Sequence, residues 1–253
     1  MIRFGKKLAV AVCALGMVTA ASAGRIIANN DEWTLSNTGF STAGAGPTTA
    51  FVQNVANYMN SNGGACNLLI YSNNFGFTES NFNTALTGAG CTVTTSTGTF
   101  NAATLSAFDG VFLGGQQFNY NDAVLTAYIN GGGSAYIAAG TASIDDANAW
   151  DSFLHGFGLD FGPNYNGITG VIPTSGLAPL LTGVSQLYYN NGNTVSLFGA
   201  NPNAQIVTFA PSAAAPVGLI GVYNNVQAVP EPATLALLGL GLAGFAASRR
   251  RRQ

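Results

Sequence analysis

The chain has 253 residues, of which 47% are hydrophobic and only 7% charged, with a formal net charge of −2. Seven of the eight Lys and Arg residues lie at the two ends, so Arg25 alone stands against nine acidic residues between Gly24 and Val229. That interval carries a net charge of −8, one positive against nine negative. Nucleic-acid binding is excluded, because phosphates are neutralised by lysine and arginine, and binding to anionic lipid surfaces is excluded for the same reason.

The N-terminal residues have the order of a secretory signal peptide. Basic residues precede an apolar run over 8–20, and the small-residue sequence Ala21-Ser22-Ala23 follows. The run is too short to span a bilayer comfortably, since a spanning helix takes about 20 apolar residues. We predict a signal helix within 1–23 and cleavage by signal peptidase after Ala23, with Ala21 and Ala23 as the small residues of the cleavage site.

A polar segment precedes the predicted domain. Residues 24–47 are rich in Gly, Ala and Thr, and we predict an extended lead-in there. An α/β domain is predicted over 48–225, because apolar stripes at helical spacing alternate with short apolar or β-branched runs. The predicted strands are 67–71, 92–96, 110–114, 134–139, 186–189, 194–198, 205–210 and 217–223. The predicted helices bury residues within 51–59, 82–86, 124–129 and 150–157. This order predicts a mostly parallel sheet covered on both faces, with an antiparallel C-terminal extension.

Several stretches of this domain resemble class I glutamine amidotransferase-like domains. They are Phe108–Gly115, Leu125–Gly133, Ser134–Gly140 and Ala178–Val184. The resemblance implies a three-layer, flavodoxin-like sheet. In active amidotransferases a nucleophilic cysteine lies on the turn after the strand that corresponds to Ser134–Ala139. Here that turn reads Ala-Gly-Thr-Ala-Ser over 139–143, so the resemblance implies the fold without the activity.

The C-terminal residues 226–253 contain three segments in a fixed order. Pro230-Glu231-Pro232 precedes an uncharged span over 233–248, and Arg249, Arg250, Arg251 and Arg252 follow. A basic cluster after an apolar span stays on the cytoplasmic side of the membrane. The order resembles the PEP-CTERM sorting domain of Gram-negative bacteria. The resemblance implies a transient transmembrane helix in the inner membrane, cleavage near the motif by an exosortase, and delivery to the cell surface or exopolysaccharide matrix.

Two cysteines remain outside the predicted signal peptide, Cys66 and Cys91. Disulfides form and persist in the compartment to which an exported chain is delivered. Both cysteines begin predicted strands, and neighbouring strands in the amidotransferase-like fold would place them on one rim of the sheet. We predict a disulfide rather than a nucleophile, because sites on such sheets form at the carboxyl ends of the strands.

Polar side chains follow the carboxyl ends of the first, third and fourth predicted strands. They define a candidate ligand crevice of Asn73, Asn74, Gln116, Gln117, Thr141 and Ser143. Two interpretations stay open: ordinary turn residues, or amides and hydroxyls that bind a neutral sugar.

The only histidine, His155, lies four residues after Asp151 on a predicted helix. One hypothesis makes them the base and its orienting group for Ser143 or Thr141. The other, which we favour, is an exposed histidine near a helix C-terminus. Asp145, Asp146, Asn148 and Asp151 have oxygen ligands for calcium, but helix capping explains them better. No metal site is predicted, because one histidine and bridged cysteines supply too few ligands for a transition metal.

The sequence therefore predicts an exported surface or matrix protein with a non-catalytic domain for binding or structure. Its expected partners are signal peptidase, an exosortase and polysaccharide, and no cofactor or catalytic residue is assigned. The alternative function is a secreted hydrolase that uses the same crevice. If no exosortase acts, a tethered periplasmic protein is expected instead.

Overall fold

A computed structural model describes residues 24–60, 63–115, 119–174, 179–211 and 215–225. The predicted signal peptide, the PEP motif, the span over 233–248 and the basic tail lie outside these residues. Within the described ranges, no helix combines the length and apolar character needed to cross a membrane.

The described elements alternate between strands and helices in the central part of the chain. The strands are β1 Arg25–Asn29, β2 Cys66–Ile70, β3 Cys91–Thr95, β4 Gly110–Gly114, β5 Ser134–Ala138, β6 Leu159–Tyr165, β7 Thr169–Pro173, β8 Gln186–Asn190, β9 Asn193–Leu197, β10 Ala204–Ala210 and β11 Val217–Asn224. The helices are α1 Asn37–Ala43, α2 Ala45–Met59, α3 Phe75–Thr78, α4 Ser80–Gly88, α5 Ala102–Leu105, α6 Asp122–Asn130 and α7 Ile144–Leu154. Short 3-10 helices cover Glu32–Leu35 and His155–Phe157.

Seven strands form the main sheet in the order β10-β11-β1-β5-β4-β2-β3. The five from β1 to β3 run parallel, and β10 and β11 join antiparallel beside β1. Two small antiparallel sheets, β6 with β9 and β7 with β8, complete the fold. The prediction of a mostly parallel sheet with antiparallel strands added near the C-terminus is confirmed.

The central strands are buried on both faces, which explains their continuous apolar sequences. All residues of β4 and β5 are buried. Phe112 joins the core that packs against α2 and α4, whereas Val111 and Leu113 join the core that contains residues of α6 and α7. Alternate residues of one strand therefore pack into two hydrophobic cores, one on each face of the sheet, and helices cover both faces.

The N-terminal segment over 24–47 differs from the predicted extended lead-in. It forms β1 near the middle of the main sheet, a 3-10 turn and α1. Ile26 and Ile27 are fully buried and belong to the cores on opposite faces of the sheet. The prediction was wrong because three consecutive apolar residues, Ile26 to Ala28, are enough for a short strand that is buried at four of its five positions.

The two ends of the described domain lie side by side. The Asn225 amide donates a hydrogen bond of 3.1 Å to the Gly24 carbonyl. Arg25 is the register partner of Asn224 in the antiparallel pair of β1 and β11. The chain therefore enters and leaves this domain at the same end of the sheet.

The predicted disulfide between Cys66 and Cys91 is confirmed, with the two Cα atoms 4.5 Å apart. Both cysteines are the first residues of their strands, and the parallel pairing of β2 with β3 sets them in register. The bridge therefore fastens β3, the last strand at this edge of the sheet, to its only neighbour in the sheet.

Besides β1, the structure adds two strands that were not predicted from the sequence, β6 and β7. Pro163 lies within β6 and Pro173 ends β7, and proline is typical of edge strands because it donates no hydrogen bond. Both strands pair on one side only, in two-stranded sheets. Their weak sequence signal follows from this peripheral position.

Candidate functional site

The candidate site lies where the parallel strands end. Glu32 follows β1, Asn74 follows β2 and Thr141 follows β5. Ligands of open α/β sheets bind in the crevice outside these carboxyl ends. The strand order therefore brings three segments, distant in sequence, to one edge of the sheet.

The Glu32 carboxylate joins these segments. Its Oε2 atom accepts hydrogen bonds from Asn74 Nδ2 and, at 2.6 Å, from Thr141 Oγ1. The Asn74 amide nitrogen is also 3.4 Å from Thr141 Oγ1. Glu32 is only 7% exposed, whereas Thr141 is exposed. The site is thus a buried carboxylate whose hydrogen-bond donors reach the surface.

Side-chain caps and a close backbone approach fix the positions of Glu32 and Asn74. Asp31 caps the 3-10 turn of Glu32, with its Oδ1 atom accepting a 2.9 Å hydrogen bond from the Trp33 amide. Asn74 caps α3 in the same way and accepts from the Gly76 amide at 2.8 Å. A Cβ atom at Gly76 would lie 2.3 Å from the Glu32 carbonyl oxygen, so only glycine permits this close approach.

The loop from β5 to α7 is held by a buried aspartate. Asp146 Oδ2 accepts hydrogen bonds from the amides of Gly140, at 3.0 Å, and Ala142, at 2.9 Å. Asp146 therefore fastens the loop between β5 and α7. Ser143 has a φ of 52°, which is rare for residues other than glycine, and its hydroxyl donates to the Pro163 carbonyl at 2.9 Å. Its side chain is therefore bonded to β6.

The crevice is strongly acidic, and burial opposes the charge. Burial raises the pKa of Asp31 to about 6, against hydrogen bonds from the Asn190 and Trp33 amides, and the Glu32 carboxylate raises it further. Burial likewise raises the pKa of Glu32, although the hydrogen bonds from Thr141 and Asn74 act in the opposite direction. The pKa of Asp146 is also raised by burial.

Aromatic side chains lie beside the polar groups. The rings of Trp33 and Phe75, which directly follow Glu32 and Asn74 in the sequence, meet edge to face with centroids 4.7 Å apart. Both side chains are half-buried. On the Thr141 side, the exposed Tyr165 donates a 3.3 Å hydrogen bond to the Thr141 carbonyl. The exposed surface of the site therefore combines aromatic faces with amide and hydroxyl groups.

The structure brings together only part of the predicted crevice. Asn74 and Thr141 meet at Glu32, Asn73 is exposed next to Asn74, and Ser143 is bonded elsewhere. Gln116 and Gln117 lie outside the described residues. Glu32 was missed because its segment was assigned to the lead-in; the available signal was an acidic pair two residues after a short apolar run.

The hypothesis of a triad with His155 is wrong. Ser143 and His155 are the N-cap and C-cap residues of α7, and their separation along the helix is about 18 Å at 1.5 Å per residue. His155 Nε2 lies 2.8 Å from Asp160 Oδ1, and the Asp151 carboxylate accepts from the Phe161 amide at 3.0 Å. The histidine therefore cannot take a proton from Ser143 or Thr141.

Comparison with known proteins identifies one segment of the chain. Residues 228–252 match the family described as the PEP-CTERM protein-sorting motif. This match supports the prediction of an exported protein that an exosortase processes. No curated protein and no solved structure matches the chain, so the resemblance to amidotransferase-like domains has no support from these comparisons.

Proposed function

We propose that the chain is a cell-surface or matrix protein whose domain binds a neutral saccharide at the crevice around Glu32. The observation that carries this proposal is the buried Glu32 carboxylate, held by Asn74 and the exposed Thr141 beside the Trp33–Phe75 pair. Sugars present hydroxyl groups at their edges and C–H groups on their faces. A carboxylate, an amide and a hydroxyl can form hydrogen bonds with the sugar hydroxyl groups, and half-exposed aromatic rings can pack against the C–H faces.

Charge favours a neutral ligand over an acidic one. Asp31, Glu32 and Asp146 surround the site, and Arg25, the only Lys or Arg of the described residues, lies at the opposite end of β1. An anionic sugar would therefore meet three acidic groups with no nearby cation. The buried carboxylate is also pre-organised, because its bonds to Asn74 and Thr141 already hold it in one orientation.

The proposed location follows from the sorting motif. Signal peptidase would cleave after Ala23 and an exosortase near Pro230–Pro232, which would release residues 24–229 outside the inner membrane. At the proposed cell-surface or matrix location, the protein would be surrounded by exopolysaccharide. The proposed ligand, a neutral saccharide, is therefore of a kind that the protein would meet at its proposed location.

Binding of neutral oligosaccharides to the full chain, measured by calorimetry, tests the crevice. We expect Thr141→Val to weaken binding about tenfold, or about 1.4 kcal/mol, because valine keeps the shape and removes the hydroxyl. Thr94→Val, on the exposed face of β3, is the matched control and should bind as the parent chain does.

Equal affinity in the two threonine variants would place the ligand elsewhere. Acidic oligosaccharides of the same length complete the comparison and should bind more weakly. Release of new reducing ends during the titration would instead indicate the secreted hydrolase.

A further inference from the structure

A second cluster of side chains lies at the C-terminal end of α7, away from the Glu32 crevice. Asp151, His155 and Asp160 each direct one ligand atom to the same place, and all three atoms lie within 4.8 Å of one another. Two of these residues belong to α7 and the turn after it, and Asp160 belongs to β6. The cluster therefore combines an imidazole nitrogen with two carboxylate oxygens from two elements.

Neighbouring groups orient each of the three side chains. Ser196 donates a 2.9 Å hydrogen bond to Asp160 Oδ2, and the Phe161 amide donates to Asp151 Oδ1. The His155 ring stacks on Phe198, with centroids 3.6 Å apart and planes 7° from parallel. Hydrogen bonds and packing of this kind fix the orientation of metal ligands in proteins.

The cluster remains open to solvent. His155 and Asp160 keep 32% and 26% of their side-chain exposure, so an ion can reach the ligand atoms and retain water on its free positions. The contact between His155 Nε2 and Asp160 Oδ1, at 2.8 Å, occupies the place that an ion would take. Binding would replace this contact with two bonds to the metal.

We propose that Asp151, His155 and Asp160 form a binding site for a divalent transition metal ion of the zinc type. One imidazole nitrogen and two carboxylate oxygens are ligands that Zn²⁺ accepts, and three protein ligands leave a position for water. Calcium and magnesium prefer oxygen ligands alone. This proposal revises the sequence-based prediction of no metal site, which counted histidine and cysteine and did not bring Asp160 next to His155.

Zinc titration of the full chain, without a polyhistidine tag, tests the proposal. Every variant should carry Cys13→Ser, since that cysteine lies outside the described domain and its thiol also binds zinc. We expect one equivalent of Zn²⁺ to bind, with affinity at least tenfold lower in Asp160→Asn and in His155→Gln. The chain has a single histidine, so the imidazole NMR signal reports directly whether that residue ligates the ion.

Asp145→Asn is the matched control, because it removes one carboxylate from the same helix about 9 Å from Asp151 along the axis. It should bind zinc as the parent chain does. Ser196→Ala keeps all three ligands and removes only the hydrogen bond to Asp160, so a loss of affinity there supports the geometry. The proposal is overturned if millimolar zinc leaves the His155 signal unmoved, or if Asp160→Asn and Asp145→Asn bind zinc equally.

Discussion

At the scale of single residues, the chemistry of this domain is most distinctive at its buried carboxylates. Asp31 is fully buried, and its two oxygens accept hydrogen bonds from the amides of Trp33 and Asn190. These bonds tie β1 to β8, but they do not fully replace the water that a charged carboxylate loses. The raised pKa of Asp31 is the measurable result of this imbalance.

The pKa of Asp31 predicts how stability depends on pH. The folded state binds the proton more tightly than the unfolded state between the ordinary value of 3.8 and about 6. The free energy of unfolding should therefore fall as pH rises through this window, by as much as about 3 kcal/mol from this group. Denaturant unfolding at pH 4, 5, 6 and 7 measures the slope.

Asp31→Asn removes the titration, so we expect a shallower slope in that variant. Some slope will remain, because burial also raises the pKa of Asp151 to about 6. Asp145→Asn, which removes an exposed charge, is the control. A slope in Asp31→Asn as steep as that of the parent chain would contradict the assignment.

Residue by residue, sequence reasoning named two of the residues that meet at the candidate site and missed the glutamate between them. Asn74 and Thr141 were predicted because polar residues directly after buried strands face the crevice in any parallel sheet. Glu32 was not, because its position depends on β1 pairing with β5, far away in the sequence. Asp160 was missed at the second cluster for a similar reason: β6 was not predicted.

At the scale of elements, β3 depends on its disulfide more than on its core. Only Cys91 of its five residues is buried, and β2 is its only neighbour in the sheet. The bridge closes a loop with a sequence separation of 25 residues. The chain-entropy relation gives a stabilisation of about 3.5 kcal/mol for a loop of that length.

The double variant Cys66→Ser with Cys91→Ser should therefore lose about 3.5 kcal/mol of unfolding free energy. Backbone hydrogen exchange in β3 should become faster by a larger factor than in β4, because the disulfide no longer holds the edge strand β3 against β2. Reducing agent should destabilise the parent chain and leave the double variant unchanged. Equal stability of the two chains without reductant would show that the bridge does not support the fold.

Elements were predictable where their own residues form a strong local pattern. The bounds of β4 were predicted without error. Its five apolar or small residues, buried on both faces, form a continuous run between an aspartate and a turn, and such a run indicates a buried strand. β1 is buried at four of its five residues but has only three apolar residues, Ile26 to Ala28, a few positions after a predicted cleavage site. Its place in the sheet comes from long-range pairing, which a local pattern does not contain.

For the whole molecule, the sorting motif makes a prediction about mass. In the native host, intact-mass measurement of the exopolysaccharide fraction should find a species that begins at Gly24 and ends near Pro230–Pro232. Glu231→Ala should keep the C-terminal segment and remain with the inner membrane, because the matched sorting motif is altered. Full retention of 233–253 in the parent chain would contradict exosortase processing.

The contact between Gly24 and Asn225 means that the two segments predicted to be cleaved, one before Gly24 and one after Asn225, join the domain at one end of the sheet. The predicted N-terminal segment continues from β1 and the C-terminal segment from β11, and these two strands pair with each other. The Glu32 crevice lies at the other end of β1, about 16 Å away for five residues of strand. The proposed ligand site therefore does not overlap the two points where the domain continues into the predicted cleavable segments.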